Sequence, residues 1–97
     1  MTNDALLSLL GLCRKARTAS FGHDAAKAAL RAGRAKLCLI CADASPRLRS
    51  EFETLAADRR VPCLQLELTM ADVQRATQWI AAVITIDEPG FARKILL

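Results

Sequence analysis

Hydrophobic and polar residues recur along the chain with periods that distinguish helices from buried strands. The spacing of the apolar residues in 4–16 predicts a first helix, with cations at its C-terminal end. Residues 18–21 are short and partly β-prone, and they predict a brief strand that leads into Gly22. Residues 24–32 are rich in alanine, the best helix former, and stop at Gly33, a residue suited to a left-handed helix end.

Three later segments, residues 36–42, 61–66 and 80–86, are short and almost continuously apolar, as in strands covered on both faces. Helical patterns separate them. Because strands alternate with helices throughout, the sequence predicts an α/β fold in which helices cover both faces of a sheet, a three-layer α/β/α sandwich.

The later helices have recognisable start signals. Ser45 followed by Pro46 predicts an N-cap and first turn for a third helix that ends near residue 60. Thr69 with Asp72 predicts a capping box at the start of a short fourth helix. Asp87 is expected to cap a last helix, whose inward residues are predicted to be Phe91, Ile95 and Leu96.

The length of 97 residues predicts a single domain with its own core. No apolar stretch approaches the roughly 20 residues of a membrane span, and the order of charges at the N-terminus is unlike that of a secretory signal. A cytoplasmic location is therefore expected. The four cysteines lie among aliphatic residues and are predicted to act as small core residues in a reducing compartment: Cys13, Cys38, Cys41 and Cys63.

The chain carries a formal net charge of +4, and its cations are clustered. Seven of the fourteen lysines and arginines lie between Arg14 and Lys36, where Asp24 is the only acid. This clustering favours an anionic partner, but a solvated basic face gives the same pattern, and charge alone leaves both interpretations open.

No constellation of catalytic residues is apparent. His23 is the only histidine and has no partner that sequence assigns. Asp87 and Glu88 are accounted for by capping at a helix start. Cys38 and Cys41 form a CxxC, but in a strand they point to opposite faces, which is poor geometry for a shared metal. The sequence predicts no enzymatic activity, no metal and no cofactor.

The second predicted helix offers a different kind of site. If it begins near Gly22, its first backbone N–H groups and the positive end of its dipole can hold a phosphate or a base edge. Lys27, Arg31 and Arg34 are spaced to share one helix face, with Lys36 just beyond. In the alternative interpretation, Asp24 pairs with Lys27 and the arginines only keep an alanine-rich helix soluble.

Several segments resemble a known family over nearly the whole chain. They are LLGLCRKART, SFGHDAAKAALRAGRAKLCLICADAS, VPC and ITIDEPGFARKIL. These segments are similar to bacterial members of the ribosomal protein L7Ae/L30e family of small RNA-binding proteins. The resemblance implies a mixed sheet of about four strands and binding to kink-turn or related stem–internal-loop RNA.

The resemblance also implies where RNA binds. The first group of positions follows the first strand: Gly22, His23, Asp24 and Ala25, with Lys36 nearby. A second loop contributes Leu68, Thr69 and Met70. The sequence departs from the family pattern in three places. Asp24 and Ala25 replace an Asn-Glu pair, Ala28 stands at the position of a helix lysine, and Val73 and Gln74 replace a Leu-Gly pair.

The sequence therefore predicts a non-enzymatic protein that binds structured RNA, with ribosomal RNA among the candidates. Phosphate contacts are expected from Arg14, Lys15, Lys27, Arg31, Arg34 and Lys36. The alternative is a protein-interaction module that kept the fold but lost the RNA site, and that docks through residues around Trp79 or through the third helix.

Overall fold

The computed structural model describes all 97 residues and contains five helices that alternate with four strands. The elements are α1 (Asn3–Ala16), β1 (Ala19–Phe21), α2 (His23–Arg31), β2 (Leu37–Ile40), α3 (Pro46–Asp58), β3 (Cys63–Gln65), α4 (Met70–Thr77), β4 (Val83–Ile86) and α5 (Pro89–Leu96). Each predicted helix and strand is present, so the predicted α/β class is confirmed.

The four strands form one mixed sheet in the order β1-β4-β2-β3. β4 is antiparallel to both β1 and β2, whereas β2 and β3 are parallel. Consequently β1, β2 and β3 all finish at the end of the sheet where β4 begins. We call this the Gly22 end, because Gly22 follows β1 there, and we call the opposite end the Lys36 end, because Lys36 precedes β2.

Side chains that alternate along the central strands build two cores. Leu37 and Leu39 of β2 pack in the cluster that includes α1, α4 and α5. Cys38 and Ile40 pack in the cluster formed with α2 and α3. Because β2 is buried on both faces, every one of its residues is apolar. The predicted three-layer sandwich is confirmed, with α1, α4 and α5 on one face and α2 and α3 on the other.

The helix starts follow the predicted chemistry in two of three cases. The Ser45 hydroxyl accepts a hydrogen bond from the Leu48 backbone N–H at 3.1 Å. Thr69 and Asp72 form a capping box with both reciprocal hydrogen bonds. The prediction that Asp87 caps α5 is wrong: the Glu88 carboxylate accepts from the backbone N–H groups of Gly90 and Phe91.

Asp87 is engaged elsewhere, which explains the difference. Its carboxylate accepts hydrogen bonds from the hydroxyls of Ser20 on β1, at 2.6 Å, and Thr85 on β4, at 2.9 Å. Asp87 therefore links β1 and β4 at the Lys36 end. Its neighbour Glu88 caps α5 instead.

Two further predictions are corrected by burial. The strand predicted over 80–86 begins only at Val83, and the Ile80 side chain lies in the preceding loop, 66% exposed. Leu96 does not face inward but is 46% exposed, because it lies in the final turn of α5. Ala92 occupies the buried position of that helix instead.

The cysteines behave as core residues, as predicted. Cys13, Cys38 and Cys41 are buried, Cys63 is half-buried, and all four are free thiols. Cys38 and Cys41 belong to opposite cores, so the CxxC does not bring its sulfurs together. Cys63 lies beside Cys38 in the β2–β3 pairing. Burial raises the pKa of Cys41 to about 11, consistent with an unreactive thiol.

Candidate nucleic-acid interface

The junction between β1 and α2 is shaped by Gly22. Its backbone lies at φ 97° and ψ 169°, a conformation essentially restricted to glycine. Its N–H donates to the Val83 carbonyl at 2.9 Å, and its own carbonyl accepts the first helical hydrogen bond from Ala26. The turn therefore fixes the start of α2 against the start of β4.

The first turn of α2 is open to solvent. His23, Asp24 and Ala25 are exposed, and no side chain caps the N-terminus. The first N–H groups of a helix have no partner within the helix, and they carry its positive partial charge. This turn can therefore donate hydrogen bonds to a phosphate oxygen or a base edge without displacing an internal partner.

Other loops meet at the same end of the sheet. The Ile40 residue that ends β2 pairs with both Val83 and Gln65, so the loops after β2 and β3 emerge beside the start of β4. The Met70 N–H that begins α4 donates to the Asp43 carboxylate in the loop after β2 at 2.9 Å. Thus the structure brings Gly22, His23, Asp24, Thr69 and Met70 to one end of the molecule.

Of the predicted cations, only Lys27 lies with them, since it shares Glu51 with His23. α2 ends at Arg31, so Arg34 lies beyond the Gly33 turn and does not share a helix face with Lys27. Lys36 lies at the opposite end, where its N–H donates to the Ile86 carbonyl at 2.7 Å. The two ends are separated by the length of β4, about 10 Å at ~3.3 Å per residue. The prediction that Lys27, Arg31 and Arg34 share one helix face is therefore wrong for Arg34.

Arg14 and Lys15 form a third group. They lie in the last turn of α1, on the opposite face of the sheet from α2. The Arg14 guanidinium stacks over the Trp79 ring, 4.4 Å from its centroid, so it is held in a cation–π contact. The predicted set of RNA contacts thus divides among three parts of the surface.

Acidic side chains moderate the charge at the Gly22 end. Glu51 of α3 accepts from His23 Nε2 at 2.9 Å and from Lys27 Nζ at 3.2 Å, while Asp24 lies 3.1 Å from His23 Nδ1. The Asp24–Lys27 pair of the alternative interpretation is therefore absent, and Glu51 is the partner of Lys27. The carboxylates of Asp24 and Glu51 raise the pKa of His23 above its usual value.

Two features of this end had no clear sequence signal. Glu51 reaches His23 across 28 positions of the chain, a distance that no local pattern reveals. The second is the loop between α4 and β4, which ends where β4 begins and carries Trp79, under the Arg14 guanidinium, and Ile80; these two side chains are 46% and 66% exposed. Ile80 belongs to an apolar run in the sequence, so the pattern predicts that it is buried in a strand and not exposed.

The comparison with protein families decides what kind of chain this is. The family model described as the ribosomal protein L7Ae/L30e/S12e/Gadd45 family matches residues 4–95. The chain belongs to this family. The resemblance found in the sequence is thereby confirmed, and the match includes all four strands of this L7Ae/L30e-type domain. A search of curated protein sequences finds no match.

Solved structures share the fold of this L7Ae/L30e-type chain. A protein of unknown function from Bacillus halodurans C superposes with a TM-score of 0.86 at 25% identity, over 93% of this chain and 91% of that one. The Giardia lamblia 15.5kD RNA binding protein superposes with a TM-score of 0.80 at 21% identity, over 94% of this chain and 81% of that one. Both confirm the architecture.

No group of three or more His, Cys, Asp or Glu side chains is placed to hold a metal ion. None of the five helices combines the length and the apolar character that crossing a bilayer requires.

The raised pKa of His23 gives a testable pH dependence. Charged His23 pairs with Asp24 and Glu51, so its contribution to stability is complete below the usual histidine pKa of ~6.5 and is lost as pH rises through the higher folded-state value. Since His23 is the only histidine, an NMR titration reports its pKa without ambiguity.

We expect Glu51→Gln to move the His23 pKa back toward its ordinary value, because the substitution removes one of the two carboxylates. Glu53→Gln is the matched control, since Glu53 lies on the same helix and bonds to Gln65 instead. A wild-type pKa at or below ~6.5 contradicts the pairing seen here.

Proposed function

We propose that this protein binds structured RNA without catalysing a reaction, and that it prefers RNA with a sharp bend, such as a kink-turn or a related stem–internal-loop. Family membership and the likeness to an RNA-binding protein support RNA binding in general. The observation that carries the proposal is the uncapped, exposed first turn of α2 at Gly22. Ribosomal RNA is one candidate for the target.

The Gly22 end is suited to a bend because the free N–H donors of α2 lie beside other loops. The N–H groups after Gly22 lie at the exposed start of α2, and the start of β4 lies alongside through the Gly22–Val83 hydrogen bond. A straight duplex presents a regular phosphate backbone, whereas a bent internal loop exposes base edges and backbone together. Donors gathered on a small area therefore match the bent form better.

Asp24 adds a base-directed contact. Its side chain is fully exposed, and a carboxylate accepts hydrogen bonds from base amino groups while it repels phosphate. The family pattern has an asparagine at this position, whose amide both donates and accepts hydrogen bonds. The Asp24 carboxylate only accepts them. We propose that Asp24 selects bases with an exposed amino group at the bend.

The test is a gel-shift titration against a kink-turn hairpin and a straight duplex of equal length. We expect the hairpin to bind at least tenfold more tightly, a difference of about 1.4 kcal/mol. Because phosphate contacts release counterions, salt is expected to weaken both complexes. Equal affinities for the two RNAs contradict the preference for a bend.

A protein-binding role is the second candidate, because Trp79 and Ile80 place two large apolar side chains in solvent in adjacent positions. Exposed apolar residues of this kind mark protein interfaces when they lie in one patch. The purified protein distinguishes the candidates. Copurified nucleic acid that high salt removes supports RNA binding, whereas a nucleic-acid-free protein that forms discrete oligomers supports the interaction module.

A further inference from the structure

The Lys36 end carries a cationic cleft between the C-terminal ends of α2 and α3. Its volume is about 410 Å³, and its lining includes Gly33, Lys36, Arg59 and Arg60. We call it the α2–α3 cleft. Both helices start at the Gly22 end and finish here, so their last turns lie side by side. This arrangement places Arg59 and Arg60 next to the turn that follows α2, which the sequence did not indicate.

The cations of the cleft have no carboxylate partners. Five basic side chains lie in or beside it, and none is within ion-pair distance of an acid: Arg31, Arg34, Lys36, Arg59 and Arg60. Asp58, which precedes Arg59 at the end of α3, makes no ion pair, and Asp87 after β4 is already bonded to Ser20 and Thr85. The Gly22 end differs, because Glu51 there holds both His23 and Lys27.

The cluster is organised by the two helix ends rather than by acids. The Arg59 guanidinium donates to the Arg31 carbonyl in the last turn of α2 at 3.1 Å. Helix C-termini carry partial negative charge and stabilise nearby cations. Two helix ends supply about one unit of negative charge in total and Asp58 supplies a second, so most of the charge of the five cations is uncompensated. A polyanion in the cleft would relieve that repulsion.

The outer face of α2 connects the cleft with the Gly22 end. Three small side chains are exposed along this face, those of Ala25, Ala28 and Ala32. Because they protrude little, a ligand can lie close to the helix. At 1.5 Å per residue, the nine residues of α2 span ~13 Å, or about five base-pair steps of an A-form RNA duplex. A duplex that leaves the Gly22 end along α2 therefore reaches the cleft within half a turn.

We infer that the α2–α3 cleft binds the phosphate backbone of the duplex stem that flanks a bend held at the Gly22 end. This inference rests on the proposed function. The two ends of the protein then contribute differently: the Gly22 end recognises the bend, and the cleft adds sequence-independent affinity once the stem is long enough to reach it.

The experiment varies stem length at a constant bend. Two hairpins share one kink-turn, and the flanking stem has about three base pairs in one and about ten in the other, below and above the span of about five set by α2. We expect the wild-type protein to bind the long-stem hairpin on the order of tenfold more tightly, since two or more phosphate contacts are gained.

The combined variant Arg59→Gln/Arg60→Gln is expected to lose that gain and to bind the short-stem hairpin like the wild type. Its salt slope on the long stem is expected to fall by about two units, close to one per lost phosphate contact. Because Arg59→Gln also removes a hydrogen bond, Lys36→Gln is a second variant; the Lys36 side chain makes no hydrogen bond or ion pair. The matched control is Arg93→Gln/Lys94→Gln on α5, which removes two charges from the other face.

Three outcomes overturn the inference: no stem-length effect in the wild type, an equal loss on both hairpins in the cleft variants, or an equal loss in the α5 control. Failure of the proposed function is recognised separately. In that case, the short-stem hairpin is bound no better than a straight duplex of the same size, whatever happens at the cleft.

Discussion

The Gly22→Val variant is expected to lose the preference for bent over straight RNA while retaining a folded sheet. At φ 97° and ψ 169°, the Gly22 backbone is in a region that a β-branched residue does not adopt without strain of about 1–3 kcal/mol. A Cβ at this position meets no atom within 4 Å, so the effect comes from the backbone and not from a clash. The strained turn is expected to rotate and to redirect the first N–H groups of α2.

Loss of even one charge-assisted hydrogen bond, worth about 1.5–3 kcal/mol, corresponds to roughly tenfold or more in affinity for the bent RNA. Gel shifts on the kink-turn hairpin and on the straight duplex measure the ratio directly. Gly33→Ala is the matched control, because Gly33 also has a positive φ and an open Cβ position but lies at the other end of the same helix. If both variants keep the wild-type ratio on short-stem hairpins, the Gly22 turn does not recognise the bend.

The Phe52→Ala variant is expected to have the largest effect on stability. Phe52 is fully buried between α3 and the sheet, and its ring meets the His23 ring edge-on at a centroid distance of 5.3 Å. Removal of a buried phenylalanine ring costs about 3–5 kcal/mol. That loss is a large part of the roughly 5–15 kcal/mol by which a domain is folded. Urea unfolding followed by circular dichroism measures it.

The same variant links the core to the interface. Because Phe52 supports His23 from below, its removal is expected to free the His23 ring and lower RNA affinity even at temperatures where the protein remains folded. Phe52→Leu keeps most of the apolar volume and is expected to cost less than Phe52→Ala. A change below ~1 kcal/mol in Phe52→Ala would show that the α2–α3 core is not packed as described.

The sequence predicts most of the fold because local chemistry specifies it. Leu37–Ile40 is apolar at every position, and that continuity is a direct result of burial on both faces. Gly33 marks the end of α2 through its positive φ, and Thr69 with Asp72 marks the start of α4 through paired hydrogen bonds. These signals depend only on neighbouring residues, so a single sequence contains them.

Elsewhere, residues distant in the chain decide between local possibilities. Asp87 and Glu88 are both able to cap α5. Glu88 does so because Asp87 accepts a hydrogen bond from the hydroxyl of Ser20, 67 positions away. Lys27 has Asp24 three residues before it on the same helix, yet Glu51 of α3 binds it. The spacing of the cations also predicted that Arg34 shares a helix face with Lys27, whereas α2 ends at Arg31. The location of the Gly22 turn was predictable, but the distribution of charge around it was not.

The strand order has a consequence for how this protein is made. β4 is synthesised after β1, β2 and β3, yet it lies between β1 and β2 in the sheet, and its Val83 carbonyl accepts a hydrogen bond from the Gly22 N–H. A nascent chain that has emerged only as far as α4 has both β1 and α2 but lacks the strand that orients them. Long-range pairing of this kind is slow to form. The Gly22 turn is therefore expected to form only after Val83–Ile86 has left the ribosome, and a chain truncated before Val83 is expected to have no competent docking surface.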